Sequence, residues 1–235
     1  MQRYFASSRS GDLFFLRDGD LHHISNVMRM KSGDFIEVVF DNVLYKCKVM
    51  FDSSVSIVYD SIIDSGWSEM FDVTLIVPVL KEQKMDFILQ KATELGVSRI
   101  IPIVTERTIV KINDKESKKI ERWGKIVKEA SEQCKRYTIP IIDNVRKIND
   151  LCFDDGVKLV CSTQKNLKSI KKMLHNVQDC AKMYIVVGPE GGLSTSEELK
   201  LNDLGFVSIS LGNRIMRVET VPIFLLSILN YELME

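Results

Sequence analysis

The chain has 235 residues, with 32 lysines and arginines against 32 aspartates and glutamates and a hydrophobic content of 45%. Formal neutrality excludes attachment to nucleic acid through overall charge, so any contact with RNA has to come from a local surface. Length and apolar content suffice for one large domain, or a medium and a small one, without disulfide support.

The five cysteines (Cys47, Cys134, Cys152, Cys161 and Cys180) are scattered, with no C-x-x-C pair and no histidine at zinc-ligand spacing. That pattern fits reduced, mostly buried thiols and predicts no metal. The opening MQRYFASSRSGD lacks the apolar core of a leader, and no apolar run is long enough to span a bilayer. A soluble, cytoplasmic protein without a membrane partner is expected.

The first 31 residues carry Arg3, Arg9, Arg17, Arg29 and Lys31, of which Arg3, Arg9 and Arg29 are the candidate RNA contacts. His22 and His23 are adjacent. On an extended segment they point to opposite faces, which argues against a metal or acid–base pair and for structural or RNA-surface roles.

Short β-type runs follow at Asp12–Leu16, Phe35–Phe40, Leu44–Phe51 and Val55–Ile63, punctuated by Gly33, Asp41-Asn42 and Asp52-Ser53-Ser54. They predict a small barrel. No basic residue occurs between Lys48 and Lys81, while Asp52, Asp60, Asp64, Glu69 and Asp72 fall in that gap, so this face should repel phosphate. The turn-prone Asp64–Glu69 is the expected linker, placing one domain at 1–68 and a second at 69–235.

Beyond it, apolar strands alternate with helices: a strand at Val73–Leu80, a helix carrying Met85, Ile88, Ala92 and Leu95, and a strand at Arg99–Val104. A charged helix around Lys115–Arg136, a strand at Val157–Cys161, a helix near Leu167–Val177 and a strand at Tyr184–Val187 continue the series. The alternation predicts an α/β fold with a parallel sheet.

The last of these strands runs into Gly188, Pro189, Glu190, Gly191 and Gly192. Either Ser194-x-x-Glu197 or Thr195-x-x-Glu198 then offers a capping box. Ligands of open α/β sheets bind at carboxyl ends of strands, so the loop reads as a ligand loop or as a tight strand-to-helix turn. It is neither G-x-G-x-x-G nor a phosphate-cradling loop with its lysine and hydroxyl. A second such loop, Ser210–Thr220 (SLGNRIMRVET), follows the apolar run Phe206–Leu211, and two adjacent strand-end loops make a pocket. Val221–Leu233 is apolar nearly all round, as suits a helix buried on several sides.

GPEGG before a helix with early glutamates, then LGNRIMRVET and an apolar terminal helix, resembles the knotted SPOUT methyltransferases. Within them the chain is most similar to the RsmE family, which methylates uridine at N3 in small-subunit ribosomal RNA. His22–Asp34, Gln90–Thr108 and Arg122–Pro140 agree with that family in order along nearly the whole chain. The resemblance implies an N-terminal PUA-like RNA-binding barrel and a C-terminal domain with a deep trefoil knot. It also implies a homodimer and S-adenosylmethionine held by the knot loops, through Gly188, Pro189, Glu190, Gly191, Gly192, Leu211, Gly212, Arg214, Ile215, Met216 and Thr220. Leu211, Ile215 and Met216 are expected to wall the adenine slot.

N3 of uridine is protonated at neutral pH, so the reaction requires loss of that proton and stabilisation of charge on the flanking carbonyl oxygens. Arg107, Arg136 and Arg217 are expected to hold the uridine and its phosphates, with Glu219 the candidate base. Plainer readings stand beside these: a salt bridge of Arg107 with Glu106 or Glu132, a helix-end cation at Arg136, loop-amide binding by Glu190 and helix capping by Glu219. Val218 stands where the family has threonine, Met216 where it has leucine, and Lys135 where it often has glycine. Rival functions are RNA binding without catalysis on the same scaffold, and methylation of another RNA or of ribose. Net neutrality points to the assembled small subunit as substrate, its ordered surface supplying specificity.

Overall fold

In a computed structural model, residues 1–65, 72–110, 116–164, 167–174 and 182–233 are described. The chain divides into two compact units, Met1–Ser68 with Ser131–Thr138, and Glu69–Ala130 with Ile139–Glu235. Most of the expected linker lies outside the described residues, as do Cys180 and the end of the helix expected to reach Val177.

The first unit contains β1 (Arg3–Phe5), β2 (Ser8–Ser10), β3 (Leu13–Phe15), α1 (Asp18–His22), β4 (Phe35–Phe40), β5 (Val43–Phe51) and β6 (Val55–Asp64). They form one six-stranded sheet in the order β1-β4-β5-β6-β3-β2, with only the β1/β4 pair parallel. Asp41 and Asn42 both adopt positive φ (48° and 60°), the two left-handed residues a tight β4–β5 hairpin requires. That turn sets Ile36 opposite Cys47 and Val38 opposite Tyr45, so one face of the sheet buries all four.

α1 continues directly into a single π-helical stretch, His23–Val27. The two histidines are therefore helical, not extended as the sequence suggested. His22 is exposed, while His23 Nδ1 lies 2.9 Å from the buried Tyr4 hydroxyl.

The second unit contains β7 (Asp72–Pro78), α2 (Glu82–Glu94), β8 (Arg99–Val104), α3 (Glu116–Gln133), β9 (Ile141–Ile142), β10 (Arg146–Lys147), β11 (Val157–Cys161), β12 (Lys168–Ser169), α4 (Ile170–Leu174), β13 (Lys182–Val186), α5 (Thr195–Asp203), β14 (Val207–Ser210) and α6 (Thr220–Leu233). The final residues of α3 belong to the first unit. The sheet runs β10-β8-β7-β13-β11-β14-β12, with β9 also on β8, and every pair is parallel.

Being covered on both faces, β7 and β13 are nearly continuous apolar runs, with Leu75, Ile76, Val77, Ile185 and Val186 at 0% exposure. One layer packs Met85, Ile88, Leu89 and Ala92 of α2 with Leu225, Leu226 and Leu229 of α6. The other sets Tyr184 and Val186 against Leu201 and Phe206. Asn230 Nδ2 donates to the carbonyls of Leu95 (2.7 Å) and Leu226 (2.8 Å), fixing α6 on the end of α2. α6 is not buried all round: Phe224 is 37% and Tyr231 84% exposed.

One expectation needs correcting. β13 and β14 are not neighbours, because β11 lies between them. Their loops meet by reaching along the sheet edge, not because their strands are adjacent.

Candidate functional site

Since the strands are parallel, their carboxyl ends share one edge of the sheet. The GPEGG loop leaves β13 there, a threonine-bounded turn (Thr105–Thr108) leaves β8, and α2 starts just beyond β7. The turn is closed by its own side chains, with Thr105 N–H donating to Thr108 Oγ1 at 2.9 Å.

Two residues staple that turn to the glycine loop. Arg107 Nη1 donates to the carbonyls of Gly191 (2.6 Å) and Leu193 (3.4 Å), so it shapes the loop, and among the described residues it makes no ion pair with Glu106. Glu197, 6% exposed, accepts from Ser194 N–H and from Glu106 N–H, both at 2.8 Å. The first contact completes a capping box with the Ser194 hydroxyl, which settles that Ser194, and not Thr195, caps α5. The second ties the β8 turn to the same carboxylate. Hydrogen bonds from Ser196 and Ser194 hold the Glu106 carboxyl below its ordinary range.

The glycines act in two ways. A Cβ on Gly188 would lie 3.2 Å from both the Leu193 backbone nitrogen and its Cγ, so a side chain there would make the turn give by a few tenths of an ångström. Gly212 has open space around it but φ of +114°, a conformation side chains rarely adopt.

The second loop meets the first through a lysine. Lys84 Nζ lies 2.7 Å from Glu190 Oε1 and 3.3 Å from Glu219 Oε2. The Lys84 hydrogen bond holds Glu190 below the usual carboxylate range, and the two glutamates in turn raise the lysine. Glu219 Oε2 is buried. Beside this cluster opens a cavity of about 140 Å³, lined by Val79, Leu80, Lys81, Lys84, Thr108, Ile109, Val110, Pro189 and Glu190.

On the second loop, Leu211 and Met216 pack partly buried against the core, and Val218 is 4% exposed within it, which explains the absence of a hydroxyl there. Arg214, Arg217 and Thr220 are exposed, and Ile215 is 86% exposed. The Arg217 carbonyl accepts from Thr220 N–H at 2.9 Å, closing the turn into α6.

Several expected RNA contacts lie in the first unit, and they divide sharply. Arg3 is 5% exposed: Nε donates to Glu37 at 2.8 Å, Nη1 donates to the carbonyls of Lys135 and Arg136, and the guanidinium sits 5.0 Å from the Tyr137 ring centre. Arg136 is 6% exposed, with Nη2 3.4 Å from Thr138 Oγ1. Protein acceptors take up Arg3, and burial withholds Arg136 from solvent, so neither offers an open cation. Arg9 and Arg29 are exposed, Arg9 lying about 5 Å over the rings of Phe14, Tyr45 and Tyr59. Lys135, where the family often has glycine, has φ of +67°; it closes the end of α3 in a left-handed conformation, and its Nζ pairs with Glu37 at 3.2 Å.

Sequence reasoning missed Lys84 and the second duty of Glu197. For Lys84 there was one signal: a cation in a helix's first turn opposes the helix dipole and needs acids to answer it. Glu197 gave none, because its partner Glu106 is far away in the chain. Among the described residues no cluster of three or more histidine, cysteine or acidic side chains could hold a metal, and no helix is long and apolar enough to cross a membrane.

Residues 68–230 match the RNA methyltransferase domain family, and residues 16–50 the RNA methyltransferase PUA domain family. The chain is similar to the ribosomal RNA small subunit methyltransferase E of Bacillus subtilis (strain 168), 34% identical over 99% of this chain and 97% of that one. Its fold is similar to that of a Legionella pneumophila methyltransferase solved with the bound cofactor SAM (28% identity, TM-score 0.87, covering 97% and 96% of the two chains). It is also similar to the ribosomal RNA small subunit methyltransferase E of Neisseria gonorrhoeae bound to S-adenosyl methionine (26% identity, TM-score 0.84, covering 98% and 97%). On both sequence and structure, the chain belongs to the ribosomal RNA small subunit methyltransferase E family.

Proposed function

We propose that the protein methylates N3 of a uridine in the RNA of the small ribosomal subunit, using S-adenosylmethionine, and that the assembled subunit is its substrate. The observation that carries this reading is the convergence of the two glycine-bearing loops on Lys84 at the carboxyl edge of the parallel sheet. Family membership and the cofactor-bound relatives support it.

The residues fit the cofactor. A Cβ on Gly188 would crowd the loop, and Gly212, with no atom within 4 Å of where its Cβ would stand, leaves open space beside the second loop. Gly188 to Gly192 with Leu211, Gly212, Arg214, Ile215, Met216 and Thr220 would hold it. When bound, the cofactor supplies an electrophilic methyl group. The chain then has to remove the N3 proton: Glu219, on the second loop with Lys84 Nζ 3.3 Å from its Oε2, is our assignment for that base. Arg217 is exposed on the same loop and is assigned to the uridine carbonyl or its phosphate. Arg107 acts through the loop whose carbonyls it holds.

We further propose a homodimer, a trefoil knot, a closed PUA-like barrel and a cytoplasmic location. Phe224 and Tyr231, two turns apart on one face of α6, support a subunit contact there. The insertion of β13 between β7 and β11, strands laid down earlier in the chain, supports the threading. The six-stranded sheet with its buried inner face supports the barrel, and Arg9 and Arg29 are its proposed RNA contacts.

The test is mass mapping of small-subunit RNA from cells lacking the gene, with assembled subunits then treated with the protein and labelled cofactor. Loss of one methyl on a uridine base, restored on subunits in vitro, supports the reading. Loss from a ribose, or no loss, overturns it.

A further inference from the structure

We infer that Lys84 is a positioning residue that clamps the two cofactor loops to each other through Glu190 and Glu219. This rests on the reading of those loops as the cofactor site.

Three observations lead to it. The loops leave strands separated by β11, so the sheet itself does not bring them together. Among the described residues Lys84 is the cation that contacts both, at 2.7 Å and 3.3 Å, and it sits in the first turn of α2, where the helix dipole disfavours a positive charge. The Glu219 side chain is only 16% exposed and its buried Oε2 lies 3.3 Å from the ammonium, so removing Lys84 would leave that carboxylate oxygen buried without its counter-charge.

The two glutamates occupy opposite parts of the site: Glu190 is in the middle of the GPEGG turn, Glu219 immediately precedes α6. A clamp between them holds the glycine loop at a set distance from the start of α6. It has no need to touch the cofactor.

The test compares Lys84→Met and Lys84→Arg with the natural protein. Calorimetry with S-adenosylmethionine should give a Kd raised about tenfold for Lys84→Met, and within roughly threefold of natural for Lys84→Arg. Glu190→Gln and Glu219→Gln should be non-additive in Kd when Lys84 is present and additive in the Lys84→Met background, a result that a general loss of stability does not produce. In the cofactor-free protein, amide exchange should rise in 188–193 and 212–219 together on Lys84→Met, with the strands unchanged.

A folded Lys84→Met protein that binds the cofactor within twofold of natural, or whose loops exchange as before, overturns the clamp. If the natural protein takes up no cofactor, it is the cofactor reading that fails, and loop exchange alone then decides the clamp.

Discussion

Glu197 offers the sharpest test of how the site is assembled. Replacing it by alanine removes two hydrogen bonds from backbone N–H groups to a buried carboxylate, one closing the α5 cap and one holding the β8 turn. Bonds to a charged acceptor contribute about 1.5–3 kcal/mol each, so the loss should be roughly 3–6 kcal/mol. Glutamine keeps one acceptor oxygen and should cost about half as much. At this chain length each kcal/mol lowers Tm by about 2–4 °C, which puts Glu197→Ala at least about 6 °C below the natural protein. Urea unfolding followed by far-UV circular dichroism gives the free energies directly. Were Glu197→Ala to unfold within about 1 kcal/mol of the natural protein, the staple between the β8 turn and the glycine loop would carry no weight and the argument would be refuted.

Other expectations concern both units. Arg3→Met leaves the half-buried Glu37 with Lys135 alone and should destabilise by about 1.5–3 kcal/mol, the loss of a hydrogen bond between charged groups, in chemical unfolding. Burial pushes the Glu37 carboxyl up, but the hydrogen bonds from Arg3 and Lys135 outweigh it and set the group below its ordinary 4.5. Its contribution is therefore complete above pH 4.5 and lost as pH falls through the depressed value; acid titration of Arg3→Met should show that loss beginning at higher pH. Lys135→Gly exchanges relief of left-handed backbone for a lost ion pair and should change stability by less than about 1 kcal/mol, while Lys135→Val should cost more than about 2 kcal/mol; equal effects would contradict the role given to φ. Glu219→Gln should lower the methylation rate by about 10²–10⁴ with cofactor still bound. An unchanged rate and pH profile would remove Glu219 as the base.

How far the sequence revealed the molecule depended on whether the information was local. The strand at Val157–Cys161 and the Asp41-Asn42 turn depend on residues within a few positions, and periodicity or turn chemistry locates them, while the cap of α5 is narrowed to Ser194 or Thr195. β1 and β2 are three-residue strands, too short to show a period and stabilised by partners elsewhere in the chain, and carry no such signal. Strand order is beyond periodicity altogether, which is why the two glycine loops looked adjacent in sequence while β11 separates their strands. Charge was read in the same local way: Arg3 and Arg9 looked alike, but Glu37 and the carbonyls of Lys135 and Arg136 take up the first while the second stays at the surface. The loops themselves were legible because glycine at such positions has few uses; the lysine that joins them was not.

The central claim is that these two loops form a cofactor pocket, and calorimetric titration of the purified protein with S-adenosylmethionine tests it most directly, repeated with Gly212→Phe. Gly212 lies in open space at φ +114°, so a bulky residue there strains the loop without disturbing the core. The account predicts binding at one site per chain, abolished by that substitution in a protein that still folds. No binding by the intact protein, or equal binding by Gly212→Phe, would contradict it.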